Sequence, residues 1–93
     1  MPKETNLERR CRLETERRGG KLLKFVSPGN KGVPDRILLM PSGFMAFVEF
    51  KKTEKAKDQP LQNWWQDWLN NHGHPAYRIW QYTDFIWILN AAR

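Results

Sequence analysis

The stretch Val33 to Lys51, VPDRILLMPSGFMAFVEFK, constrains this chain more than any other. Two apolar runs flank Pro41-Ser42-Gly43, which reads as a β-hairpin with a short turn. Three charges sit on it in unusual places: Asp35 opens the first run, and Glu49 and Lys51 close the second. Residues i and i+2 of a strand share a face, so Glu49 and Lys51 point the same way, with Met45 and Phe47. If residues 41–43 form the loop, Met40 pairs with Phe44, and counting outward sets Asp35 opposite Glu49. Like charges so placed are destabilising by roughly 0.2–1 kcal/mol. A divalent cation bridging the two carboxylates, with the Lys51 ammonium beside it, gives the arrangement a reason. A two- or four-residue loop changes the pairing parity and breaks this geometry.

The 93 residues suffice for one small domain, residues 1–93, with one modest core and no separate specificity domain. Residues 1–57 hold fourteen of the sixteen Lys/Arg and seven of the ten Asp/Glu, so the net charge of +6 is concentrated there. A basic field around a carboxylate pair suggests a polyanionic partner, most simply nucleic acid; the bland alternative is a surface that keeps a small protein soluble. The single cysteine, Cys11, forms no internal disulfide, fits a reducing compartment and reads as a small buried residue. With only His72 and His74 besides, a structural zinc site is not expected. The N-terminus is charged rather than apolar, and no apolar run is long enough to span a membrane, so a cytoplasmic protein is expected.

Glu4 to Arg18 reads as a helix ended by Gly19-Gly20, with a thin apolar stripe of Leu7, Cys11 and Leu13. Glu4, Glu8, Cys11 and Thr15 share one face. Glu8 therefore borders the buried stripe: it points toward the hairpin or pairs on the surface with Arg12. Lys21 to Val26 is a short strand candidate, followed by a turn-rich loop, Ser27 to Gly32. That loop delivers the chain to Asp35 and carries Lys31, with Lys24 nearby, as positive charges for a phosphate. Lys52 to Asp58 is a basic loop, either a mobile surface segment or a phosphate contact. Pro60 starts a helix in which Leu61, Trp64, Trp65, Trp68 and Leu69 form the clearest helical stripe of the chain. The stripe is expected in the core; an edge tryptophan also suits a dimer interface or a stacked base. Gln62 and Gln66 lie beside it on a common edge. Ala76 to Tyr82 alternates as a strand, and Thr83 is expected to cap a last helix with Asp84 in its first turn. The order helix, three strands, helix, strand, helix permits one parallel crossover and predicts an α/β fold, a small mixed sheet flanked by helices.

Glu8, Gly-Val-Pro-Asp at 32–35, Glu49-Phe50-Lys51 and Gln62 together resemble the VRR-NUC branch of the PD-(D/E)XK nuclease superfamily. Lys24 to Gly43 looks especially like its stand-alone phage and bacterial members. The resemblance implies the restriction-endonuclease-like core α-β-β-β-α-β-α and a structure-selective endodeoxyribonuclease dependent on Mg²⁺ or Mn²⁺. It makes Asp35 and Glu49 metal ligands, with the backbone carbonyl of Phe50 a further ligand and Lys51 acting on the attacking water and the transition state. Glu8, with Glu4 a competitor one turn away, and Gln62 complete the catalytic set. Lys24, Ser27, Lys31 and Lys52 are the candidate phosphate contacts. It further implies a homodimer cutting four-way (Holliday) junctions in a bacterial cytoplasm or nucleoid, encoded by phage or host, with no small-molecule cofactor and no membrane. Cutting of flaps, nicks or linear duplex, and a non-catalytic basic binding module, are the alternatives.

Overall fold

The computed structural model describes residues 4–52 and 59–92. The elements run α1 (Asn6–Arg17), β1 (Lys21–Lys24), β2 (Arg36–Leu39), β3 (Met45–Phe50), α2 (Pro60–Asn71), β4 (Ala76–Ile79) and α3 (Tyr82–Ala91). This is the expected order. The sheet runs β1-β2-β3-β4, with the first three strands antiparallel and β4 parallel to β3 across the α2 crossover.

Thr5 caps α1: its hydroxyl accepts from the Glu8 N–H at 3.1 Å, and the Glu8 carboxylate returns a bond to the Thr5 N–H at 2.8 Å. This reciprocal arrangement satisfies two of the four orphan donors of the first turn. It also fixes the rotamer of Glu8. The buried side of α1 is Glu8, Cys11 and Thr15, whereas Leu13 is 51% exposed and lies outside the stripe expected for it.

The hairpin loop has three residues. The Gly43 N–H donates to the Met40 carbonyl and the Met40 N–H to the Phe44 carbonyl, both at 2.9 Å, and Gly43 takes the left-handed φ of +94° that the turn demands. The register follows, Arg36 opposite Val48 and Leu39 opposite Met45. One sheet face, carrying Leu22, Leu38, Ala46, Val48 and Ile79, packs with Cys11 of α1 and Phe85, Ile88 and Leu89 of α3 into the core. Burial of these side chains is the main driving force for the fold.

The other face meets α2, and here the tryptophan stripe departs from expectation. Leu61, Trp64 and Trp68 are 53, 54 and 38% exposed; of α2 only Leu69 is fully buried. The helix docks through its amides instead. The Gln66 side chain donates to the Ala76 carbonyl, Asn70 donates to that carbonyl and accepts from the Ala76 N–H, both at 3.0 Å, and Asn63 accepts from Arg78. β4 is an edge strand whose backbone groups need partners, and these amides supply them. Trp64 and Trp68 are thereby turned outward, while Trp65 is half-buried.

Smaller differences lie at element ends. β1 stops at Lys24, although the Phe25 N–H still donates to the Asp35 carbonyl at 2.9 Å. β4 stops at Ile79, and α3 begins at Tyr82 after Gln81. Thr83 is therefore inside the helix rather than its cap, because the Asp84 N–H closes the first turn on the Gln81 carbonyl at 3.2 Å. Cys11 is buried, and His72 and His74 are exposed, as expected. Most of the basic loop expected after Lys51, residues 53–58, lies outside the described residues.

Candidate active site

Pro34 precedes β2 and Asp35 is the last residue before its ladder. Pro cannot donate to a ladder, so the strand starts after it. Continuing the β2–β3 register by one step sets Asp35 opposite Glu49. Asp35 Oδ1 is buried without a hydrogen-bond partner among the described residues, and Arg36 Nη1 is 3.8 Å away. Burial raises the Asp35 carboxyl above its usual range; Arg36 opposes this, and the Glu8 charge adds to it. Glu49 is buried, and its carboxyl is pushed up to about 7, first by burial and then by the Asp35 charge, against the pull of Lys51, Arg78 and Arg36. Two carboxylates that resist ionisation together beside basic groups form a place that gains from a bound cation.

Asp35 lines a cleft of about 730 Å³ together with Glu8, Lys24, Phe50, Lys51 and Lys52. Glu49, buried on β3, is not on this lining. Lys51 is held from two sides: its N–H donates to the Ile79 carbonyl at 2.9 Å, and its ammonium donates to the Gln62 side-chain oxygen on α2. The sequence candidates Lys51 and Gln62 are thus in direct contact, eleven positions apart.

Glu8 stands on the cleft wall with both oxygens engaged, one by the Thr5 N–H and one by Arg36 Nη2 at 2.9 Å. Glu4 pairs with Arg12 at 2.7 Å on the outside of α1, in the place considered for Glu8. Lys24 and Lys52 are at the cleft, whereas Ser27 and Lys31 are not on its lining. The Ser27 hydroxyl and carbonyl both accept from Asn30, and the Lys31 carbonyl accepts from the Trp65 indole at 3.1 Å.

Two residues of the site were missed by sequence reasoning. Arg36 joins Glu8 to the Asp35 backbone, donating to the Asp35 carbonyl at 3.0 Å. Arg78 lies opposite Glu49 in the parallel register. A period-2 count through AYRIWQY could have raised Arg78 as a charge inside a strand, but only the pairing places it beside Glu49.

Among the described residues no three His, Cys, Asp or Glu side chains form a metal cage of their own. Mg²⁺ needs none: it commonly takes one or two carboxylates and completes its octahedron with water and substrate oxygens. The partnerless buried Oδ1 of Asp35, on a residue that the register sets opposite Glu49, fits a hard divalent cation, which takes oxygen ligands.

A solved structure described as a VRR_NUC domain matches 97% of this chain and 97% of its own, with a TM-score of 0.83 at 24% sequence identity. The chain therefore has the VRR_NUC fold, as the sequence resemblance implied. A protein of Acyrthosiphon pisum secondary endosymbiont phage 1, named "Putative nuclease p44", is 45% identical over 49 residues. That match spans 53% of this chain and 53% of the phage protein, about half the length of each. No family model matches the chain.

Proposed function

We propose that this chain, built on the VRR_NUC fold, is a Mg²⁺- or Mn²⁺-dependent endodeoxyribonuclease that hydrolyses phosphodiester bonds of branched DNA, foremost four-way junctions, as a homodimer. The observation that carries this reading is the register that sets Asp35 opposite Glu49, with a buried, unpartnered Asp35 oxygen on a residue that lines a cleft together with Lys24, Lys51 and Lys52. Asp35, Glu49 and the Phe50 carbonyl would hold the ion, with Glu8 acting through a water. When bound, the ion lowers the pKa of water and polarises the phosphoryl group.

The remaining work falls to the chain. Lys51, steered by Gln62, presents its ammonium to the attacking water and offsets negative charge developing on the phosphate. Arg36 neutralises Glu8, so that the negative charge of the site rests on the 35–49 pair. Lys24 and Lys52 contact phosphates at the cleft mouth, with Ser27 and Lys31 further along the strand. The affinity they supply is salt-sensitive and largely independent of sequence. One subunit carries one site and cuts one strand; resolving a junction takes two symmetric cuts, which a two-fold dimer provides. Such a protein works in a bacterial cytoplasm, at the nucleoid. No helix among the described residues is long and apolar enough to cross a membrane.

The test is cleavage in Mg²⁺ and Mn²⁺ of a four-way junction against its separate linear arms and a flap, with mass measurement in solution. Junction cuts on opposing strands by a dimer are expected. Equal cutting of linear arms moves the protein to another substrate, and no cutting in either metal leaves a binding module.

A further inference from the structure

A second cleft, of about 620 Å³, lies between the Ser27–Gly32 loop and α2, walled by Trp64, Trp65 and Leu61 and rimmed by Asn30 and Lys31. We infer that it is a pocket for an unpaired nucleobase of the DNA strand being cut, with Lys31 on the adjoining phosphate; this rests on the nuclease reading above.

The cleft is built rather than incidental. Gly32 has φ +92°, and a Cβ there would lie 2.6 Å from the Leu61 backbone, so the loop presses on α2 as only glycine permits. The Trp65 indole is fixed by its bond to the Lys31 carbonyl. Trp64 stands at 90° to it with ring centroids 5.0 Å apart, leaving a corner of two aromatic walls. A flat ring laid on one wall meets the other edge-on, the geometry aromatic pairs prefer. Trp64 is 54% exposed and packs into no core.

The surroundings select the occupant. Bare aromatic faces beside a cation suit bases joined by phosphates, because every base has a π-face and every linkage a negative charge. Lys31 belongs to the part of the chain that carries the excess positive charge. The cleft is linked along the chain to the candidate active site through both of its walls. Gly32 is three residues from Asp35, at most about 11 Å of chain. Leu61 precedes Gln62, whose amide holds Lys51. A strand passing from one cleft to the other sets its phosphate at Asp35 with an unpaired base between the loop and α2. This favours DNA with an open or frayed segment next to the cut.

The experiment compares the affinity of the full chain, without divalent metal, for a short thymidine oligonucleotide and an abasic strand of the same phosphate count. The wild-type protein is expected to prefer the strand with bases by about tenfold. Trp64→Ala should remove that preference, Trp64→Phe should keep most of it, and Lys31→Gln should weaken both strands alike. Circular dichroism melting checks that each variant folds. Equal wild-type affinity for the two strands overturns the pocket alone, since junction cleavage can stand without it. A Trp64→Ala protein that keeps the base preference but falls from dimer to monomer also overturns it, making the cleft a subunit contact. A wild-type protein that binds neither strand nor a four-way junction overturns the nuclease reading as well.

Discussion

Arg36 Nη2 donates to Glu8 Oε1 at 2.9 Å, tying β2 to α1 through two side chains only 12 and 11% exposed. Removing one partner of such a pair leaves a charge buried without compensation, which costs about 3–5 kcal/mol. Arg36→Ala should therefore lower the melting temperature by more than about 10 °C at this chain length. Adding Glu8→Gln to Arg36→Ala should restore part of the loss. Thermal melts of the two variants against wild type check this; a drop of only a few degrees in Arg36→Ala would show that the pair does not hold the helix.

Asp35→Ala should reduce cleavage at least a hundredfold while DNA binding and its salt dependence stay intact. The fold should not suffer, because the substitution removes a like charge facing Glu49. Cleavage rate, binding affinity and melting temperature measured on one preparation separate these effects. Undiminished cleavage would refute the site.

Glu49 carries the pH dependence. Its folded carboxyl titrates near 7, above the usual 4.5, so the folded state holds a proton that the unfolded chain gives up. The resulting contribution to stability is full below about pH 4.5 and is lost as pH rises toward 7, on the order of 3 kcal/mol. Asp35 shifts in the same direction. The metal-free protein should thus melt lower at pH 8 than at pH 5.5, and Glu49→Gln should flatten that slope. At the proposed site Mg²⁺ would bind the ionised pair, so it should raise the melting temperature at pH 8 and do little at pH 5.5. A metal effect that is equal at both values would contradict the assignment.

Lys51 and Gln62 act as a pair, and their variants should grade. Lys51→Ala should lower kcat by about a hundredfold, within the range for a proton-transfer or charge-stabilising group. Gln62→Ala leaves the ammonium present but unsteered, so it should lower kcat by about tenfold with KM nearly unchanged. Adding Gln62→Ala to Lys51→Ala should then cost little more if the amide serves only to hold the lysine it contacts. Additive losses in the double variant would assign Gln62 a separate role.

Much of this arrangement was legible in the chain itself. The apolar alternation and the Pro-Ser-Gly turn dictated a hairpin, and the three-residue loop determined its pairing, which alone sets Asp35 opposite Glu49. The contact of Lys51 with Gln62 is different in kind. It joins a strand end to the first turn of a helix across a crossover, and no periodicity spans that gap.

Local pattern settled the element order, because helix and strand periodicities depend on neighbours two to four residues apart. Which side of α2 would be covered did not follow from its own stripe. The edge of β4 demanded hydrogen-bond partners, the helix met it with Gln66 and Asn70, and Trp64 and Trp68, which periodicity assigns to a core, were left facing water. Arg36 likewise gained its place only when α1 brought Glu8 against it. A backbone group or buried charge takes whatever partner three-dimensional packing delivers, and that delivery is a property of the assembled chain.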